Sequence, residues 1–221
     1  YNEIESKLKE LFPTEYILTV SNGTSSLLSL FFGAGINPGD IVLVPAYTFF
    51  ATATPLFMLG AVPILVDAGE DGNMSPEALR QTLDEVRGVK AVVITHMWGI
   101  PCDLESISQI CNEYDVLLLE DSSHAHGATY KGKVVGTSYS DGSAWSLQGK
   151  KLLTSGEGGF IATNNQSIFE RAVLLGHFNK RAKKDVHLPE FQDFVVTGVG
   201  GNFRMHPLGA AILRPQLDTF K

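Results

Sequence analysis

Two adjacent lysines stand between a predicted strand and a glycine-rich turn, and they are the residues with the most distinctive potential chemistry. Lys150 and Lys151 follow Leu147 and precede Leu152 and Leu153, so we expect at least one of them to lie against the protein interior. A lysine in such a place has a lowered pKa and serves as an amine nucleophile. A solvated run of charge is the alternative interpretation, and the two lysines alone do not exclude it.

A carboxylate and two histidines follow the most apolar predicted strand. Asp121 stands at the carboxyl end of this strand, where it could hold a cationic heteroaromatic nitrogen. It could equally cap a helix or pair with a nearby histidine. His124 and His126 lie close to Asp121 in the sequence, but no third or fourth ligand has the spacing of a metal site. We therefore expect no bound metal.

A third segment, residues 21–26, follows the first predicted strand and opens a helix. Gly23 allows close approach of the backbone. The free amides and dipole of the helix start, with the hydroxyls of Thr24 and Ser25, form an anion site. A plain helix N-cap explains the same residues. Neither a GxxxxGKS/T loop nor a GxGxxG motif occurs in the sequence, so the two common nucleotide-binding loops are excluded.

An anion site, a carboxylate and an amine nucleophile are together the groups that pyridoxal 5′-phosphate requires from a protein. The helix start would take the phosphate, and Asp121 would keep the ring nitrogen protonated. A lysine would hold the aldehyde as a Schiff base and later move protons. A flat residue over the ring would complete the site. Phe49 follows the second predicted strand and suits that role, although ordinary packing at a helix start would also explain it.

Buried strands alternate with helices along the chain, and this pattern positions the candidate residues. Apolar runs predict strands buried on both faces at residues 16–20, 41–44, 62–66, 91–95, 116–119, 143–147 and 159–163. Helical patterns lie at residues 25–32, 49–59, 104–114 and 166–175, and Ser75 and Pro76 open a further helix. These units predict an α/β fold with a mainly parallel sheet and helices on both faces. Ligands of such sheets bind beyond the carboxyl ends of the strands, where the candidate residues stand.

The chain shows no division into separate domains. Residues 179–193 are polar, basic in their first half, and are interpreted as a mobile loop. No internal repeat and no linker rich in Pro, Gly or Ser occurs, so residues 1–221 are interpreted as one domain. The sequence has no initiating methionine, opens within one helical pattern and closes within another. We therefore expect a piece of a longer protein, truncated at both ends.

Composition argues against several classes of protein. The chain has 221 residues, of which 44% are hydrophobic, and a formal net charge of −7. These values are typical of a globular domain and argue against a nucleic-acid binder. No apolar run approaches the ~20 residues of a membrane span, and no secretory leader is recognised. Cys102 and Cys111 fit neither a disulfide framework nor a zinc spacing, so we expect a reducing compartment and a cytoplasmic location.

Taken in order along the chain, these motifs resemble the DegT/StrS family. Its members are fold-type-I pyridoxal-phosphate enzymes, most of them aminotransferases of nucleotide sugars. The matching segments are residues 21–24, 45–49, 120–121, 126–128 and 146–159. The resemblance extends from about Phe12 to about Leu213, which is nearly the whole chain. It implies that this chain is the large, cofactor-binding domain, and that the family's small C-terminal domain is absent from it.

The resemblance implies a role for each candidate residue. Lys151, rather than Lys150, aligns with the Schiff-base lysine because it stands five residues before the first glycine of the turn 156–159. Asp121 aligns with the partner of the ring nitrogen. His124 aligns with a residue that contacts the ring hydroxyl, and Phe49 aligns with the aromatic residue that stacks on the ring. Gly23, Thr24 and Ser146 align with phosphate ligands, and Ser25 is expected to add its amide. Asn202 aligns with a phosphate ligand from the other subunit of a homodimer.

The resemblance also implies the reaction. An amino acid, commonly glutamate, would donate its amino group to a keto sugar, nucleotide-linked in most members, or to a keto-cyclitol. Dehydrases of the family carry histidine where Lys151 stands, which argues against dehydration. An aminohydroxybenzoate synthase, a cofactor-binding regulatory protein and a plain α/β binding domain remain alternatives. Lys150 departs from the family pattern, in which the residue before the Schiff-base lysine is small. The basic residues 180–184 either attract a nucleotide diphosphate at the entrance to the site that Asn202 reaches, or form a solvated charge run.

Overall fold

The computed structural model describes residues 2–220, so Tyr1 and Lys221 lie outside the described residues. The strands are β1 (Tyr16–Val20), β2 (Ile41–Pro45), β3 (Val62–Val66), β4 (Val89–Thr95), β5 (Leu117–Asp121), β6 (Thr129–Tyr130), β7 (Lys133–Val134), β8 (Gly142–Ser146) and β9 (Gly159–Thr163). The helices are α1 (Asn2–Leu11), α2 (Gly23–Gly33), α3 (Thr54–Met58), α4 (Pro76–Glu85), α5 (Leu104–Glu113), α6 (Gln166–Gly176), α7 (Lys180–Asp185) and α8 (Pro207–Thr219).

A seven-stranded sheet forms the centre of the molecule, in the order β1-β9-β8-β5-β4-β2-β3. Strands β3, β2, β4, β5 and β8 run parallel to one another. Strand β9 is antiparallel to both β8 and β1. The mainly parallel α/β fold predicted from the sequence is therefore confirmed, with one reversed strand that the apolar pattern did not reveal. Strands β6 and β7 form a separate two-stranded sheet.

Helices cover both faces of the sheet, because its strands carry apolar side chains on both sides. One core packs helices α1, α4, α5 and α8 through residues such as Leu8, Leu79, Ile107 and Leu213. The opposite core packs α2, α3 and α6 through residues such as Phe31. No helix within residues 2–220 is both long enough and apolar enough to cross a bilayer.

The predicted helix 49–59 is wrong as a single element. The chain forms a 3-10 turn at Phe50–Thr52 and then the short helix α3. Pro55 explains the break, because proline has no backbone N–H and its ring clashes with the carbonyl four residues earlier. By contrast, the predicted start at Ser75 is confirmed, since its side chain accepts a hydrogen bond from the amide of Ala78 at 3.2 Å.

The prediction that residues 179–193 form a loop is also wrong. Helix α7 lies in this segment, and a 3-10 turn at Pro189–Phe194 ends just after it. The mobility of the segment stays a prediction. Arg181 holds α7 against the body of the protein through a two-pronged ion pair with the buried Glu5, in which Nη2 lies 2.9 Å from Oε2. Arg181 and Lys184 line a cleft beside Tyr16 at the amino end of β1. These two basic residues therefore do not stand at the entrance to a site of the same chain at the carboxyl ends of the strands, and their place relative to the site of a partner subunit stays a prediction.

Candidate active site

A cavity of about 540 Å³ opens at the carboxyl ends of the strands. It brings together predicted site residues from four separate segments of the chain, namely Gly23, Thr24, Ser25, Phe49, Asp121, His124, Ser146 and Lys151. Parallel strands whose carboxyl ends share one edge of the sheet explain this convergence. Asn202 is exposed and does not line the cavity, although its neighbour Phe203 does.

Lys151 is the member of the lysine pair that lines this cavity. It is half-buried in the turn between β8 and β9, where its backbone amide donates to the carbonyl of Gln148 at 2.9 Å. Burial lowers the pKa of its amine, and the charge of Asp121 opposes part of that shift. Lys150 is exposed. A lowered pKa increases the neutral fraction of the Lys151 amine, which is the form that acts as a nucleophile.

Asp121 ends strand β5, and its carboxylate forms part of the cavity wall. The hydroxyl of Thr52 donates to Oδ2 at 2.7 Å, and the backbone amide of Ser123 donates to Oδ1 at 3.2 Å. Thr52 also contacts the hydroxyls of Thr48 at 2.7 Å and Thr95 at 3.4 Å. Asp121 thus neither caps a helix nor pairs with a histidine, and a fixed carboxylate is available to a cationic ring nitrogen.

A buried ionisable pair lies directly behind Asp121. His96 and Glu120 are fully buried, with Nε2 and Oε2 separated by 2.7 Å. The amide of Cys102 donates to Nδ1 of His96, so Nε2 carries the proton and donates to Glu120. The amide of Gly136 donates to the same carboxylate at 2.8 Å. These bonds tie β4 to β5 and fix the backbone that presents Asp121.

The start of helix α2 supplies the predicted anion site, with one correction. The side chain of Asn22 accepts a hydrogen bond from the amide of Ser25 at 2.8 Å, and the hydroxyl of Ser25 lies 3.0 Å from that of Ser21. The amide of Ser25 is therefore used by the helix cap, contrary to its predicted use for phosphate. The amides of Gly23 and Thr24 have no acceptor within residues 2–220, and they remain suited to an anion.

Gly23 is required where α2 meets the end of β8. A Cβ at this position would lie 2.7 Å from the Cβ of Ser146. We expect Gly23→Ala to shift the helix start and weaken binding of pyridoxal phosphate roughly tenfold, as overpacking costs about 1–3 kcal/mol. Titration followed by cofactor absorbance measures the change. Gly69→Ala is the matched control, since its Cβ would meet the Asp71 side chain at 3.3 Å and the carbonyl oxygen of Asn73 at 3.9 Å, an ordinary contact. Equal affinity in both variants would contradict this account.

Two aromatic groups flank the remaining cavity wall. Phe49 is 58% exposed and lines the cavity, with its ring 4.2 Å from that of Phe50. His124 lies on another side, where burial lowers the pKa of its imidazole and the cation of Lys151 lowers it further. Nδ1 of His124 is buried without a partner within residues 2–220. Both residues are available for the contacts that the sequence predicts.

Sequence reasoning missed several residues that form this site. Thr95 ends the apolar strand β4, and a polar residue at such a strand end is a signal that could have identified it. Thr52 has no comparable signal, because it reaches Asp121 only through the break before α3. Gln148 and Phe203 also line the cavity, and each stands within two residues of a predicted site residue, Ser146 or Asn202. No group of three or more His, Cys, Asp or Glu within residues 2–220 could hold a metal ion.

These residues fit pyridoxal phosphate. Two unpartnered amides at a helix start suit its phosphate, a fixed carboxylate suits its ring nitrogen, and an amine of lowered pKa suits its aldehyde. A mainly parallel sheet with this set of groups at its carboxyl edge is the arrangement of a domain that binds pyridoxal phosphate. The whole chain, residues 1–221, matches the DegT/DnrJ/EryC1/StrS aminotransferase family, and it belongs to this family. Pyridoxal phosphate is the cofactor of aminotransferases in the family.

Similar proteins support this assignment. GDP-perosamine synthase of Escherichia coli O157:H7 is 36% identical over 98% of this chain and 57% of its own length. Protein MosB of Rhizobium meliloti is 34% identical over 100% of this chain and 44% of its own length. The crystal structure of an aminotransferase from Psychrobacter cryohalolentis superposes with a TM-score of 0.87 at 30% identity, over 98% of this chain and 55% of that one. The chain thus spans about half the length of these relatives.

Proposed function

We propose that this chain is the cofactor-binding domain, residues 1–221, of an aminotransferase that transfers an amino group from an amino acid to a keto sugar or keto-cyclitol. The observation that carries the proposal is the convergence of Lys151, Asp121 and the start of α2 on one cavity. Relatives named for sugar and cyclitol amination support it, among them GDP-perosamine synthase. A protein of Micromonospora echinospora, 32% identical, is assigned as an L-glutamine:3-amino-2,3-dideoxy-scyllo-inosose aminotransferase.

Each residue has a defined task in this proposal. Bound pyridoxal phosphate supplies an electron sink for the carbon next to the substrate nitrogen. The amides of Gly23 and Thr24 bind phosphate, and Asp121 holds a proton on the ring nitrogen. The amine of Lys151 binds the aldehyde and, when released, moves a proton at that carbon. Phe49 covers the ring and excludes water from one side.

A second reaction class has support of its own. The crystal structure of 3-amino-5-hydroxybenzoic acid synthase superposes with a TM-score of 0.86 at 30% identity, values close to those of the aminotransferase structure. A synthase of that kind forms an aromatic ring by eliminating water. The product therefore separates the two reactions. A regulatory protein would bind the cofactor and form neither product.

The test uses the full-length protein with a panel of nucleotide-linked keto sugars and keto-cyclitols. Glutamate and glutamine are both offered as donors, because the resemblance implies the first and the cyclitol relative is named for the second. We expect mass spectrometry to show an acceptor whose ketone has become an amine. Loss of water with aromatisation would favour the synthase. Cofactor binding without any product would favour a regulatory role.

We further propose a homodimer and a cytoplasmic location. Asn202 is exposed and lies outside the cavity of its own chain, which leaves it available to the phosphate site of a partner subunit. The ring of Phe49, which lines the cavity, and that of the adjacent Phe50 are 58% and 67% exposed, and such a partner would cover them. The location is supported by Cys102 and Cys111, which are unpaired thiols.

The dimer is tested by complementation. If Asn202 acts across the interface, a mixed dimer of Lys151→Ala and Asn202→Ala chains contains one site with both defects and one site with neither. We expect subunit exchange between the two full-length variants to restore activity above that of either variant alone. Each variant exchanged with itself is the control. A monomer by light scattering, or no recovery despite demonstrated exchange, would contradict the arrangement.

A further inference from the structure

A second cavity, of about 430 Å³, adjoins the first on another side of Lys151. We call it the Trp98 cavity. It shares Ser123, His124, Gln148 and Lys151 with the cofactor cavity and adds Trp98, His126, Lys150 and Leu152. The reactive amine therefore borders two spaces. The first contains the groups that suit the cofactor, and the second has no role in the function described so far.

Trp98 is held in an unusual backbone conformation beside this cavity. Its φ is 56°, a left-handed conformation that is rare for a bulky residue and marks local strain. The indole is nevertheless 71% exposed, so the strain does not bury it. Its ring lies nearly parallel to that of His124, with centroids 6.0 Å apart and an angle of 15°. The loop thus presents a flat apolar surface next to the reactive amine.

His126 provides a buried hydrogen-bond acceptor in the same cavity. Its Nε2 is buried without a partner within residues 2–220. Burial, with the cation of Lys151, lowers the pKa of His126 to about 4, and the backbone of Ser146 opposes part of this shift. The ring is therefore neutral at pH 7, and one nitrogen of a neutral imidazole accepts a hydrogen bond. An unsatisfied buried acceptor is costly, so a ligand that donates a hydrogen bond would relieve this cost.

We propose that the Trp98 cavity binds the hydroxylated ring of the acceptor ketone. The apolar face of the ring packs on the indole of Trp98, and one hydroxyl donates to Nε2 of His126. This placement brings the carbonyl carbon beside Lys151. Apart from Trp98 and Leu152, the lining residues of this cavity are polar or ionisable, which suits a ring that carries several hydroxyl groups. The proposal rests on the proposed function and assigns its acceptor subsite. An open-chain donor such as glutamate has no ring to use this subsite.

The binding test uses scyllo-inosose, an uncharged keto-cyclitol, as the probe for the full-length holoenzyme. Trp98 is exposed and Trp145 is buried, so ring binding is expected to shift the fluorescence of Trp98 and leave that of Trp145 unchanged. Trp98→Phe should remove the shift but retain ring packing and hence the KM for the ketone. This readout does not depend on turnover. If the emission of Trp98 stays unchanged at saturating concentrations of scyllo-inosose, the proposal is overturned even if the protein is an aminotransferase.

The kinetic test separates the two half-reactions. Trp98→Ala and His126→Asn are each expected to raise the KM for scyllo-inosose about tenfold, while the rate of cofactor amination by glutamate alone stays within about twofold. His126→Gln should restore part of the affinity, because its amide oxygen provides an acceptor. Phe194→Ala, an exposed aromatic outside both cavities, is the control. Equal loss of both half-reactions, or dimer dissociation in Trp98→Ala, would overturn the proposal. Failure of wild-type amination by glutamate and glutamine would instead reject the proposed function.

Discussion

Lys151→Ala is expected to eliminate the absorption band of covalently held pyridoxal phosphate and to slow amino transfer by about 10⁴-fold. The amine of Lys151 lines the cavity, and burial lowers its pKa. Alanine offers neither a nucleophile for the aldehyde nor a base for the substrate carbon. Absorbance of the full-length protein measures the first effect, and amine formation measures the second.

Lys150→Ala is the matched control for this prediction. Lys150 precedes Lys151 in the same turn, but it is exposed and does not line the cofactor cavity. Its removal should therefore leave the absorption band in place. The opposite pattern, with Lys150→Ala colourless and Lys151→Ala coloured, would show that the alignment of the two lysines is displaced by one residue.

Asp121→Asn is expected to retain covalent cofactor but slow proton abstraction by about 10³-fold, or roughly 4 kcal/mol in the barrier. Asparagine has nearly the same shape and can still accept from Thr52 at one atom. A neutral amide does not keep the ring nitrogen protonated, and the electron sink is weakened. Single-turnover absorbance changes with the amino donor measure this step.

Asp141→Asn is the control for the loss of a carboxylate. Asp141 accepts the backbone amide of Leu118 at 2.9 Å at the opposite end of β5, and it lines neither cavity. We expect this variant to affect stability rather than proton abstraction. Near-normal turnover in Asp121→Asn would remove Asp121 from its role at the ring nitrogen.

Apolar continuity predicted most strands because a strand buried on both faces has few other acceptable compositions. The apolar pattern does not reveal that β9 is reversed, because a strand buried on both faces has the same composition whichever way it runs. Asp121 and Lys151 were predictable because ionisable groups beside apolar runs are uncommon. Thr52 and Trp98 were not predicted, because each depends on a local backbone break or strain that composition does not encode.

Ser25 illustrates another limit of sequence reasoning. The segment Ser21–Ser26 contains several hydroxyl and amide side chains that compete for the same helix-start amides. The sequence identified an anion site there, but the competition is resolved only by geometry, which gives the amide of Ser25 to Asn22. The extent of one domain over residues 1–221 and the contact of Asn202 with a partner subunit stay predictions.

The reversed strand β9 also determines when the site can form during synthesis. Strand β1 lies at the edge of the sheet and, within residues 2–220, pairs with β9 alone, with Val20 opposite Gly159. The nascent chain must therefore wait for β9 after β1 has left the ribosome, which takes on the order of ten seconds at about 5–20 residues per second. The helix start that follows β1 packs on the same late strands, since Ser26 donates to the carbonyl of Trp145 at 2.9 Å. The cofactor can consequently bind only late in the synthesis of this chain.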